Sequence, residues 1–323
     1  MSRKLVALSF GDSPDLAELG YDAEHLDVVA MRIARFLLRR GYDIAYGGVF
    51  RSQSFLDTLL ELVRAETAHQ QEEAQAEGRQ WSESEPRLFS YQAWPYYDAI
   101  TTEVIADTLG FIRYVKVHPV DGEGIDHRTR ARHFLDPPDG NIPKGAALMA
   151  AALTRMRRAM TAPAVDIDGG DVSAPSARIV LGGAVENWAG ILPGIAEEIL
   201  WTARAGQPVY ILGAFGGSAK VVADYLRDGE NLPKVLTLEH HRSNAKMARV
   251  IEGFPAIGFE AVYPEEGFRE LQRFLAEACG NFSLLNPLGE ENRELMTSHN
   301  VINILRILKT QFPDLRGQHS TPS

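Results

Sequence analysis

Leu181-Gly182-Gly183-Ala184-Val185-Glu186-Asn187-Trp188-Ala189-Gly190-Ile191-Leu192-Pro193-Gly194-Ile195-Ala196-Glu197-Glu198 is the stretch that decides the fold. It continues a short strand-like run from Arg178 to Leu181, which stops at two glycines. After a loop, Pro193 opens a helical stretch that runs to Ala205. Proline suits a first helical position, because the N–H it lacks has no partner there. A strand, a glycine turn and a helix form the unit from which parallel sheets are wound. The turn lies on the edge where such sheets bind ligands.

The same alternation runs outward in both directions. Upstream, Leu5 to Phe10 reads as a strand ending at Gly11-Asp12-Ser13-Pro14, and a helix follows from Asp22 to the C-capping Gly41. Tyr42 to Tyr46, Arg87 to Ala93 and Phe111 to Val117 are further strands; Phe55 to Ala65, Asp98 to Leu109 and Lys144 to Met160 are helices. Gln70 to Glu85 is a solvated helix end and loop, and Gly122 to Ile142 and Ala162 to Ser176 are irregular. Downstream come a strand from Pro208 to Leu212, the turn Gly213 to Gly217 and a helix from Ala219 to Arg227. Strands alternating with helices imply a Rossmann-like α/β fold: a doubly wound, mostly parallel sheet followed by a mainly helical C-terminal lobe. Residues 1–230 are expected to form the ligand-binding domain. Residues 231–323 are expected to be a lobe packed on, or extending, the same core. In that lobe Val235 to Leu238 reads as one more strand, Phe268 to Ala278 and His299 to Leu308 as helices, and Pro287 to Arg293 as a polar turn.

Composition narrows the function. Of 323 residues 45% are hydrophobic and 24% charged, enough for one large core and against global disorder. A net charge of -10 repels nucleic acid and anionic lipid at long range, so neither is expected as a partner. The single cysteine, Cys279, excludes an internal disulfide and reads as a small apolar residue. The apolar run after Met1 is too short for a signal peptide, and no run is long enough for a membrane span, so a cytoplasmic location is expected.

Three glycine turns carry the binding chemistry. Glycine lets backbone N–H groups approach phosphate oxygens, and a helix N-terminus behind them adds a favourable dipole. Gly47-Gly48 closes the second strand, with Arg51 placed to fork onto a phosphate. Gly182, Gly183 and Gly194 form the central turn. Gly213, Phe215, Gly216 and Gly217 form the third, suited to phosphate or base contact. Glu197 and Glu198 stand in or just past the first helical turn. There they stabilise the helix dipole, or one of them accepts hydrogen bonds from ribose hydroxyls.

These residues resemble the SLOG superfamily, which includes the LOG phosphoribohydrolases and the DNA-processing protein DprA. Leu181-Gly182-Gly183 and Gly194-Ile195-Ala196-Glu197-Glu198 match the two halves of the LOG signature PGGxGTxxE, with Ala184 to Pro193 inserted between them. Glu198 takes the place of the family glutamate, and Met156-Arg157-Arg158 loosely resembles the MxxRK element. Tyr46 to Arg51, Pro193 to Gly217 and Asn286 to Leu295 bring the chain closest to the branch associated with TIR and nucleoside-phosphorylase effectors. That resemblance implies sensing of a nucleotide-derived ligand, related to ADP-ribose or NAD, in a bacterial conflict or stress response. No TIR segment is present in the sequence, so the effector would be a separate chain. The alternative is a nucleotide N-glycosidase in which Glu198 stabilises an oxocarbenium-like ribosyl centre. Ile195 stands where the LOG threonine would supply a hydroxyl, and this speaks against that chemistry.

Arg128, Arg130 and Arg132 read as a solvated loop or a phosphate flap; Trp94, Tyr96 and Tyr97 as core or as base-stacking rings; Asp98 and Glu103 as surface acids or cleavage carboxylates. Asp166 to Asp171 lacks the distal acid of a calcium loop, since Ala177 stands there, and His240-His241 lacks a spaced third ligand. No Walker loop, serine or cysteine nucleophile motif, or dinucleotide fingerprint occurs. Neither a metal nor a resident cofactor is expected. Self-association is expected, and a third reading makes the lobe from Leu232 onward its seat, with ligand binding as the switch.

Overall fold

The structure is a computed structural model that describes residues 3–48, 55–78, 85–118, 139–229, 231–257 and 263–316. In chain order the sheet strands are β1 (Leu5–Gly11), β2 (Asp43–Gly47), β3 (Leu88–Ala93), β4 (Ile112–Val117), β7 (Ala177–Gly182) and β8 (Val209–Leu212). They form one six-stranded sheet in the order β4-β3-β2-β1-β7-β8, parallel throughout. Between β4 and β7 lies a small antiparallel hairpin, β5 (Ala164–Val165) with β6 (Asp171–Val172), inside the stretch read from sequence as loop. The chain winds outward from β1 to β4, then returns to place β7 on the other side of β1. The topological switch point therefore lies between β1 and β7, where Gly11 pairs with Gly182.

Period-two alternation assigns the two faces of the sheet. Val6 and Leu8 of β1 pack on one side with α1 (Ala23–Arg39) and α2 (Phe55–Ala76). Leu5 and Ala7 face the other side, against Leu153 and Met156 of α4 (Pro143–Ala159). On that second face, β7 and β8 are covered by α5 (Gly194–Arg204), α6 (Gly217–Asp228), α8 (Ala245–Gly253) and α9 (Pro264–Ala278). Helix α1 starts where Asp22 accepts a hydrogen bond from the His25 N–H in a capping box. It ends before Gly41, whose φ of 84° suits glycine.

The C-terminal elements share these cores. Leu295 of α10 (Glu291–Thr297) and Ile304, Ile307 and Leu308 of α11 (Val301–Gln311) join the cluster that contains Leu8 and Leu26. Beyond β8, Val209 donates to the Leu285 carbonyl at 2.8 Å and accepts from Asn286 at 2.7 Å, which closes that edge of the sheet.

Several elements differ from the sequence reading. Val235 to Leu238 is not a strand. Lys234–Leu236 is a 3-10 turn, and Thr237 caps a short helix, α7 (Leu238–His241). Asp98 to Leu109 is broken into a 3-10 turn, Tyr96–Ala99, and α3 (Thr102–Thr108), because Thr101 accepts the Val104 N–H and restarts the helix. The helix from Phe55 runs on to Ala76, and Glu291 opens α10 inside the predicted polar turn.

Candidate functional site

The C-terminal ends of four strands open onto one cavity of 350 Å³. β1 contributes Phe10, Gly11 and Asp12; the end of β2 contributes Gly47 and Gly48. Gln92, Ala93 and Tyr96 come from β3 and its following turn, Gly183 and Ala184 from the turn after β7. Helix α4 supplies Leu153, Met156 and Arg157, and the start of α5 supplies Gly194, Ile195 and Glu198. The volume falls within the range of about 300–1,000 Å³ usual for small-molecule sites.

Local geometry requires glycine at the centre. Gly183 has a φ of 96°, and an added Cβ would run into Ile195. At Gly194 a Cβ would come within 2.7 Å of the Arg157 guanidinium. These two positions let the β7 turn, the α5 start and α4 close together. Helix α5 has no side-chain cap, so its first N–H groups form a donor cluster at the cavity, the arrangement that receives anionic oxygens.

Behind the cavity lies a buried quartet of two arginines and two glutamates. Arg178, 1% exposed, donates to Glu198 at 2.7 Å, to Ser9 at 2.6 Å and to Thr202 at 2.7 Å. Arg157 donates to Glu197 at 2.5 Å, and its Nε lies 3.6 Å from Glu198. Glu197 also accepts from Thr154 at 2.6 Å. Burial pushes the Arg178 guanidinium below its ordinary value, and the adjacent Glu198 carboxylate works against that shift. Burial, reinforced by Glu198, raises the Tyr46 phenol. Glu198 is thus a fixed acceptor that still lines the cavity, while Glu197 is directed to Arg157 and Thr154 and is absent from the lining.

Of the residues singled out from sequence, Gly47, Gly48, Gly183, Gly194 and Glu198 meet in this cavity. Gly182 sits just behind it, paired with Gly11. Arg51 lies outside the described residues, as do Arg128, Arg130 and Arg132. The third turn braces the site rather than lining it. The Gly217 N–H donates to Asp15 at 2.7 Å and the Ser218 N–H to the Gly183 carbonyl at 2.7 Å. Gly213 packs close to Ala223, Gly216 lies over Asp15, and Phe215 is buried in the core beside Tyr21. Tyr96 lines the cavity, whereas Trp94 is core and Tyr97 is hydrogen-bonded to His118 at 2.8 Å. Asp98 and Glu103 are exposed and do not line it.

Asp12, Gln92 and Trp188 were not anticipated. Asp12 carried the same strand-then-glycine signal as the other turns. Gln92 sits in a strand, where its donation to Ser90 at 2.7 Å and to the Gly48 carbonyl depends on register, which the sequence does not display. Among the described residues, no group of three or more His, Cys, Asp or Glu could hold a metal ion, and no helix is long and apolar enough to cross a membrane.

No curated protein matches the chain. A strand-end cavity with glycine turns and a helix-borne glutamate is the arrangement the LOG-like signature led us to expect, and the family description SLOG cluster2 matches residues 1–277. The chain belongs to that family, and with it to the SLOG superfamily.

Proposed function

We propose that the chain binds a nucleotide-derived small molecule, related to ADP-ribose or NAD, in the cavity at the β1–β7 switch point. In this reading it is the sensing module of a bacterial conflict or stress response, allied to the TIR- and nucleoside-phosphorylase-associated branch, with its effector on a separate chain. One observation carries the reading. Gly47, Gly48, Gly183, Gly194 and Glu198, far apart in sequence, converge on one cavity beside the uncapped start of α5. Phosphate oxygens would meet the α5 N–H groups, and ribose hydroxyls would donate to Glu198 and Asp12.

The second reading, a nucleotide N-glycosidase, draws on the same carboxylate. Glu198 has no hydroxyl companion at position 195, where Ile195 lines the cavity instead. Equilibrium dialysis against AMP, NAD, ADP-ribose and cyclic ADP-ribose, with mass spectrometry of both chambers, separates the two. Retention of an intact nucleotide is expected; free base or ribose phosphate would establish the glycosidase, and the absence of both retention and turnover would overturn both readings.

A further inference from the structure

A second, smaller cavity of 80 Å³ adjoins the first, and Leu153, Trp188 and Ala189 line both. Its floor is apolar, built from Ala146, Met149 and Ala150 of α4 and Met247 and Val250 of α8. Its rim is polar: Asn187, His241, Asn244 and Lys246.

The segment 184–193, the insertion that splits the glycine–glutamate signature, forms one wall of both cavities, with Ala184, Trp188 and Ala189 on the first and Asn187 to Gly190 on the second. This wall is held in place. Asn187 is the one non-glycine residue with positive φ among the described residues, at 54°. Lys246 donates to the Asn187 carbonyl at 2.9 Å, and Asn244 donates to the Asn187 side chain at 2.8 Å. Trp188 is 8% exposed, stands edge-on to His241 with ring centroids 4.2 Å apart, and its buried indole N–H has no acceptor among the described residues.

Two features make the rim electropositive. Lys246 donates one N–H to the Asn187 carbonyl, and its ammonium carries two more. Helix α8 begins at Ala245, directing the positive end of its dipole at the rim. Burial, with Arg249 nearby, holds the Lys246 ammonium below its ordinary value, so an anionic partner would restore lost stabilisation. The main cavity, at 350 Å³, lies at the low end of small-molecule sites, so a two-ended ligand needs the adjoining space.

We infer that this annex receives the second phosphate of a nucleoside diphosphate derivative, held at Lys246, with the terminal group beyond it leaving over the open rim. The inference rests on nucleotide binding in the main cavity, and the insertion then selects ligands by length. The test is calorimetric titration of the full chain and its Lys246→Met variant with AMP and with ADP-ribose. The wild type is expected to bind ADP-ribose more tightly than AMP. Lys246→Met is expected to weaken ADP-ribose roughly tenfold, the loss of one charge-assisted hydrogen bond, and to weaken AMP far less, because AMP feels only the loss of the Asn187 anchor. Equal affinity of the wild type for both nucleotides, or a variant that weakens both alike or neither, overturns the annex alone. Failure of the wild type to bind either nucleotide overturns the main-cavity reading and the annex together.

Discussion

Glu198 faces two ways, toward the fully buried guanidinium of Arg178 at 2.7 Å and toward the cavity. Its removal therefore does more than erase a ligand contact. Glu198→Ala leaves a buried arginine without its carboxylate, which costs about 3–5 kcal/mol, because an uncompensated charge in a dry site is far worse than no charge. Urea unfolding should show this loss, and the double variant Arg178→Met with Glu198→Leu should recover most of it. A loss under about 1 kcal/mol in the single variant would contradict the coupling. Glu198 itself was legible, because its distance from the glycines and the helix start fixed its place. Arg178 was not, because an arginine opening a short strand gives no sign of being 1% exposed.

At the scale of elements, the segment 184–193 and helices α7 and α8 are tied together by side-chain contacts. His241 couples them: its Nε2–H donates to the Val235 carbonyl at 2.8 Å while its ring packs on Trp188. Burial depresses the His241 pKa below 6.5, against the favourable Val235 contact. The unfolded chain then takes up the proton first, so this contribution is present above pH 6.5 and lost as pH falls through and below that value. Stability should therefore drop between pH 7 and about 5.5, above the range where carboxylates titrate. The drop should be smaller in His241→Gln; identical pH slopes would refute the assignment. Long periodic elements such as α1 and the four glycine-ended strands were legible because burial pattern and turn chemistry agree. The run from Val235 to Leu238 differs from its sequence reading because three apolar residues around Thr237 fit helix and strand equally, and the Thr237 cap decides for helix.

For the whole molecule, the order β4-β3-β2-β1-β7-β8 puts the signature turn beside β1 and so creates one site. Parallel alternation was visible in the sequence; strand order was not, because nothing local encodes which strand β7 joins. We propose that residues 231–323 extend the same core. Leu295, Ile304, Ile307 and Leu308 are buried against β1-side residues, and Asn286 closes the β8 edge. A chain cut after residue 230 should lose cooperative thermal unfolding; a sharp transition near that of the full chain would show two independent domains. The most direct test of the central claim is dialysis of the full chain and its Ala184→Trp variant, whose indole fills the cavity mouth, against the nucleotide panel, with melting temperatures as a fold control. The account predicts that the wild type retains an intact nucleotide and that the folded variant does not. Retention by both would place the ligand elsewhere and contradict it.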